Sequence, residues 1–292
     1  MGARLPGGYF DAEGGLHRDV ELAALTGREE ELLARARQPQ TATLVTEVLS
    51  RCVRRLGGIS PVPPEVARGL LVADRQYLLL QLRRETFGDL VRASLVCPWP
   101  ECGEQVSIDF SLADVPVTQA RDRAQVHTMM LSAPAAGGAP TEVEFRLPTG
   151  ADQEQLSGHV EANEAEALTL LLSRCVRRVG PHSPPGPHRV ASLGPLARAE
   201  IEERMGQLAP RVEQAMEVAC AECGRPFTAP FDIHGFFFGE LRTDSAQLYR
   251  DVHYLAFHYH WSEHEIMAMT RDRRRTYIDV LAEAIEVLNS GA

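Results

Sequence analysis

At 292 residues, 44% of them hydrophobic, the chain has length and apolar content for two ordinary domains with real cores. A formal net charge of -10 and an isoelectric point near 5.5 argue against a protein whose main work is gripping phosphate backbones, which takes concentrated Lys and Arg. The stretch Met1 to Gly8 lacks an apolar core of signal-peptide length, and no later stretch stays apolar for the about eighteen residues of a membrane span. A cytoplasmic location is therefore expected, where six cysteines are more naturally thiols or metal ligands than disulfides.

The first strand pattern is Val20-Glu21-Leu22, followed by Thr26-Gly27-Arg28-Glu29, where Thr26 can cap a helix and Glu29 can bond back to it. From Thr41 to Leu56 the apolar positions Val45, Val48, Cys52 and Leu56 recur every three or four residues, which reads as one amphipathic helix ended by Gly57-Gly58. After a proline linker, Val66 to Glu85 reads as one or two buried helices. Ala93 to Val96 and Val106 to Phe110 read as short strands around the turn Cys97-Pro98-Trp99-Pro100-Glu101-Cys102-Gly103. A second series begins with a strand at Val143 to Leu147. A capped start at Thr149-Gly150-Ala151-Asp152 follows, then a helix through Leu168 to Val179 and a Pro/His-rich linker from Gly180 to Leu193, which reads as mobile. Next come a helix around Ile201, a strand ending at Ala219, the turn Cys220-Ala221-Glu222-Cys223-Gly224, and a strand from Phe227 to Phe231. Beyond Gly235 the chain reads as helical. Leu248, Val252, Leu255 and Tyr259 mark one helix face, Ser262 to Glu265 form a capping box, and Tyr277, Ile278, Leu281, Ile285 and Leu288 line a third helix.

The chain is written twice. Val20-Glu21-Leu22, Thr26-Gly27 and Glu31 recur at a constant offset of 123 residues as Val143-Glu144-Phe145, Thr149-Gly150 and Glu154. Leu49 to Arg55 returns at the same offset as Leu172 to Arg178, and Cys97 maps onto Cys220. The organisation expected is α+β and internally duplicated. A first lobe (1–131) carries the Cys97/Cys102 turn, a linker (132–141) leads to a second lobe (142–234) with the Cys220/Cys223 turn, and a helical tail follows (235–292).

Paired cysteines at a tight turn, each pair followed by Gly, supply half of a tetrahedral thiolate site; two such halves in related lobes make one whole. Cys97, Cys102, Cys220 and Cys223 are thus the expected ligands of one structural Zn2+ per chain, held in zinc-ribbon-like hairpins. Two local disulfides or inert thiols are the plainer alternatives. Four protein thiolates leave no open position for water, so no hydrolytic chemistry is expected there. Cys52 and Cys175 sit on apolar helix faces and read as core.

In the tail, His253, His258, His260 and His264 crowd together, but the capping box breaks the helix that would align them, and His-Glu-x-x-His fails because position 268 is Ala. Arg271, Arg273, Arg274 and Arg275 occupy the first turns of the last helix, opposing its dipole. The default for them is a solvated charged face, the alternative an interface for an acidic partner. Phe236-Phe237-Phe238 is core or a docking site. No acid/base pair, Ser-His-Asp set or phosphate loop emerges, so the chain is not expected to be an enzyme.

Two stretches carry a family resemblance. The segment Gly8 to Glu31, with Gly8-Tyr9-Phe10-Asp11-Ala12-Glu13, and the tail segment Tyr254 to Ile266 with Arg273-Arg274-Arg275-Thr276-Tyr277, resemble the baseplate hub assembly chaperones of contractile-tailed phages and contractile injection systems. The tail is similar to that family's aromatic-Trp-Ser-x-x-Glu-Ile element followed by arginines. The resemblance implies a non-enzymatic assembly chaperone or structural protein whose partners are baseplate, hub or spike proteins. Trp261, Arg271, Arg273, Arg274, Arg275 and Tyr277 would be its partner contacts. The alternative from the cysteines is a zinc-ribbon adaptor contacting nucleic acid.

Overall fold

The computed structural model describes residues 2–35, 41–157, 163–181, 190–213, 215–230, 232, 233, 235 and 245–290. The architecture is α+β. β1 (Gly2–Phe10) and β2 (Leu16–Leu22) form an antiparallel hairpin, and α1 (Gly27–Arg35) follows. α2 (Thr41–Cys52) leads directly into β3 (Val53–Leu56), which closes a three-stranded sheet in the order β1-β2-β3. α3 (Pro64–Gly69) and α4 (Val72–Phe87) cover this sheet, and Leu5, Leu25, Leu49, Leu78 and Leu79 lie fully buried between them.

The single helix expected from Thr41 to Leu56 is corrected here. The helix stops at Cys52, and Val53-Arg54-Arg55-Leu56 is a strand paired to β2, with its two arginines outward and its apolar residues inward. Every-fourth-residue spacing fits a helix, but Val53 gains a ladder of backbone bonds and a buried place only by pairing with a strand about 30 residues upstream. The same correction applies to the helix expected to run to Val179, as shown below. β1 itself was not expected, because Pro6-Gly7-Gly8 punctuates it. The strand tolerates the glycines through an irregularity between Arg4 and Tyr9, where the buried Asp74 carboxylate accepts from the Gly7 and Gly8 N–H groups at 2.8 and 2.9 Å.

A long hairpin projects from this body: β4 (Leu90–Val96) and β5 (Gln105–Ser111), with the first cysteine pair at its bend. After it, β6 (Val117–Thr118) precedes β7 (His127–Leu131), α5 (Ala133–Ala136) and β8 (Thr141–Phe145). β7 pairs with β8, so residues 132–140 of the expected linker connect two neighbouring strands of one sheet. α6 (Gly150–Leu156), α7 (Glu164–Cys175) and β9 (Val176–Val179) follow, and β9 closes a second sheet in the order β7-β8-β9. α8 (Pro195–Leu208) covers it over Phe145, Cys175, Val190 and Ile201. β10 (Arg211–Val212) pairs back to β6, and β11 (Ala215–Ala219) with β12 (Pro226–Pro230) forms the hairpin bearing the second cysteine pair.

The registers of the two sheets coincide at the offset read from the sequence. Val20 faces Leu56 and Glu21 faces Arg55 in one; Val143 faces Val179 and Glu144 faces Arg178 in the other. The tail comprises α9 (Ser245–Tyr259), α10 (Glu263–Met267) with its Ser262/Glu265 capping box, and α11 (Arg271–Ser290). It has its own small core of Leu248, Val252, Leu255, Ile266 and Met267. No helix among the described residues is long and apolar enough to cross a membrane. Phe236 to Phe238 and residues 182–189 of the Pro/His-rich linker lie outside the described residues.

Candidate metal centre

Each cysteine pair sits where a strand must reverse. Cys97 closes its turn by donating its N–H to Glu104 O at 2.8 Å, and Cys220 donates to Arg225 O at 3.1 Å. Within the bends, the Cys102 and Gly103 N–H groups both donate to Trp99 O, and the Gly224 N–H donates to Cys220 O. Gly103 and Gly224 adopt φ of 62° and 68°, the left-handed turn that a side chain disfavours. The two bends face each other. The four sulfurs lie within 4.8 Å of one another, with Cys97 Sγ 3.9 Å from Cys223 Sγ and Cys102 Sγ 3.8 Å from Cys220 Sγ. An ion held by four thiolates at about 2.3 Å sets sulfurs ~3.8 Å apart along a tetrahedron's edges, so the geometry suits one ion and the donors suit a soft one.

The electrostatics lead the same way. Backbone N–H groups of Cys223 and then Glu222 donate toward Cys220 and hold its thiol down to about 7. The Glu104 N–H also favours the Cys102 thiolate, but burial and three adjacent sulfurs outweigh it and push that thiol up to about 12; burial also raises Cys97. Four sulfurs this close do not all ionise without a cation among them. Two-stranded hairpins are marginal alone in water. These two share only a minimal core of Cys97, Val106 and Cys220 flanked by Cys102, Ile108 and Phe227, so a metal would be its nucleus. A clasp the sequence did not reveal joins them on the outside. The Trp99 indole N–H donates to Pro226 O at 3.3 Å, Arg225 lies over the Trp99 ring at 5.4 Å, and Arg225 pairs with Glu101 at 2.5 Å. The extra residues between Cys97 and Cys102, relative to the second pair, are the only trace of it in the sequence.

Cys52 and Cys175 lie in the cores of the two sheets and outside this cluster, and burial pushes both thiols up to about 12, which suits core residues. The tail histidines do not converge: His264 meets Arg28, and His258 rests edge-on against Tyr254 and Phe257.

The arginine cluster departs from the solvated face expected of it. Arg274 is fully buried, donates to both carboxylate oxygens of Glu30 at 2.8 and 2.9 Å, and donates to Met269 O at 2.9 Å. Arg271 is buried beside Glu30 at 3.7 Å and over the Phe87 ring at 4.5 Å. A helix start opposing its dipole is tolerated because a buried carboxylate from α1 balances it. Arg273 and Arg275 remain exposed. Trp261 stacks on Tyr259 with centroids at 4.6 Å and meets the Tyr277 ring edge-on at 4.8 Å, so these aromatics brace the tail's own turn. Glu30, the residue that organises the junction, was not singled out from the sequence; an acidic residue in a first helical turn looks like ordinary dipole compensation.

Comparison with known protein families gives a match. The model of a family described as T4 bacteriophage base plate protein matches residues 13–182, from the β1–β2 turn through the second sheet. No curated protein and no solved structure matches the chain. Because the family model covers more than half of the 292 residues, this chain belongs to the T4 bacteriophage base plate protein family.

Proposed function

We propose that this chain is a non-enzymatic assembly chaperone or structural protein for the baseplate hub of a phage-tail-like contractile particle. The family match over residues 13–182 carries the reading. The chain's partners are then other baseplate proteins, with hub and spike components the closest candidates. The inward turn of Arg271 and Arg274 removes charge on which contact with nucleic acid would depend, which favours a protein partner.

We infer further that the chain arose by duplication of a sheet-plus-helices unit, the second unit beginning before His127. One structural zinc ion, held by Cys97, Cys102, Cys220 and Cys223, then clamps the hairpins of the two units. Coinciding registers and the mutual distances of the sulfurs support this.

Deleting the gene in a cell that makes such particles tests the function: tails fail to assemble, while an unchanged yield of intact particles overturns the reading. Mass spectrometry of finished particles then separates a retained part from a transient chaperone. For the metal, elemental analysis is expected to give one zinc per chain, lost in both Cys97→Ser and Cys220→Ser because each opens the same site. Two metals, or none, would sink the shared centre.

A further inference from the structure

One contact occurs twice in this molecule. At the start of α6, Thr149 bridges to Leu71, and the Gly150 N–H donates to Leu70 O at 3.0 Å, just before α4 begins. At the start of α1, Thr26 bridges to Thr270, and the Gly27 N–H donates to Met269 O at 3.2 Å, just before α11 begins. In each case the arginine four residues beyond the bridging residue lies against the glycine. A Cβ on Gly150 would fall 2.1 Å from Arg75 Nη1, and one on Gly27 would fall 3.2 Å from Arg274 Nη1. A strand-Thr-Gly-helix ridge therefore enters a socket made by a helix start and its arginine. The first unit's socket takes the second unit's ridge, and the tail's socket takes the first unit's ridge.

The second unit holds a third socket. Gly194 precedes α8 as Leu71 precedes α4, and Arg198 follows four residues later. Arg198 Nη1 donates to Thr169 Oγ1 at 2.8 Å, as Arg75 Nη1 donates to Thr46 Oγ1 at 2.8 Å, and all these positions keep the offset of 123. At the filled first socket, the Thr46 hydroxyl also donates to Glu154 of the incoming helix at 2.5 Å. At the third, nothing among the described residues stands within 4 Å of a Cβ on Gly194, Arg198 is only half-buried, and Leu196 is 61% exposed, whereas in the first socket Arg75 is 1% and Ala73, the counterpart of Leu196, 8% exposed.

We propose that the Gly194/Arg198 socket receives the Thr26–Gly27 ridge of a second copy of this chain, which that copy exposes when its own tail lets go of α1. The second copy is the fitting occupant because its ridge carries Thr26, Gly27 and Glu31 at the offsets of Thr149, Gly150 and Glu154. The Gly27 N–H would donate to Leu193 O, sharing that carbonyl with Arg198 Nε, which donates to it at 3.0 Å, and Glu31 would accept from Thr169. Pro195 stands where Val72 donates to Pro148 O, so this joint has one backbone bond fewer than the internal one. Ridge and socket are made of different residues, so the contact is heterologous, head-to-tail. The tail, held by Glu30 with Arg274 and by the Tyr249 hydroxyl donating to Glu31 at 2.5 Å, then acts as a cap on assembly.

Sedimentation of the full-length chain tests this. Wild type is expected to be monomeric. Arg274→Glu, which sets two carboxylates against each other and releases the tail, forms species that lengthen with concentration. Adding Gly194→Trp returns it to monomer, and that double variant mixed with wild type gives a 1:1 complex and nothing longer. Tyr249→Ala serves as a milder release should Arg274→Glu fail to fold. Association that survives Gly194→Trp, or tail-released chains that stay monomeric and do not bind wild type, overturns the proposal.

Discussion

Glu29 and Asp152 lie 123 residues apart, each three residues after the threonine that precedes α1 or α6, yet they are held differently. Glu29 accepts from the Thr26 N–H at 3.0 Å and reaches Arg51 only at 4.0 Å, with its side chain 13% exposed. Asp152 is fully buried. It accepts from Thr149, from both Nη atoms of Arg146 at 2.6 and 2.9 Å, and from Arg174 Nε at 2.8 Å. The first half has Ala23 at the place of Arg146. The same cap thus works with one charge partner at a wet edge and needs two when the carboxylate is sealed from water, because an unbalanced buried charge is costly.

Removing each carboxylate sharpens that contrast and gives the largest effect expected. Asp152→Ala strands Arg146 and Arg174 around a void and should cost about 3–5 kcal/mol, whereas Glu29→Ala loses a cap worth about 1 kcal/mol. Chemical denaturation of the two variants measures both, and equal losses would erase the distinction. Acid separates them too. Burial alone would raise Asp152, but Arg146, the Thr149 N–H and Arg174 overcome it and hold the carboxyl at about 2. Its stabilisation is therefore complete above the ordinary Asp value of about 4 and is lost as pH falls toward 2.

Asp74 has the opposite slope and no counterpart, since Ala197 fills its place in the second half. Burial raises its carboxyl to about 6 despite the Gly7 and Gly8 N–H groups. A raised Asp opposes folding once ionised, so this part of the stability is full below about pH 4 and falls as pH rises through 6, by on the order of 3 kcal/mol. Asp74→Asn should flatten the pH 4–6 limb of the stability curve and leave the Asp152 limb below pH 4 intact. A limb unchanged by Asp74→Asn would assign it to other groups.

These residues mark the boundary of what the sequence reveals. The capped helix starts at Thr149 and Ser262 and the turns at the two cysteine pairs are local patterns, legible because turn chemistry is written in adjacent residues. The ends of α2 and α7 were misread because the switch to a strand at Val53 and Val176 depends on partners about 30 residues upstream. Asp74 and Glu30 escaped notice, and Arg274 was read as a solvated or partner-facing charge, for a related reason. A charged residue reads as solvated until the fold supplies its partner, and those partners lie 66 and 244 residues away. That the cysteine turns face each other was expected only from the repeat of the pair at a fixed offset, whereas the Trp99 and Arg225 contacts that join the hairpins were written in no spacing.

The two Thr-Gly ridges give the smallest contrast and the cleanest one, since each variant adds a single methyl group. At Gly150 that methyl would fall 2.5 Å from Arg75 Cζ and 2.8 Å from its Cδ. This guanidinium cannot step aside, because Thr46 Oγ1, Ala67 O and Ala42 O all hold it. At Gly27 the nearest atom is Met267 Sδ at 2.9 Å, a thioether on a flexible stem that can rotate away. Gly150→Ala should therefore cost about 2 kcal/mol through overpacking, and Gly27→Ala about 1 kcal/mol or less. Thermal unfolding of the two variants against wild type reads the difference. The reverse order would mean that the joint between the halves yields more easily than the joint to the tail, the opposite of what a bonded arginine and a movable methionine imply.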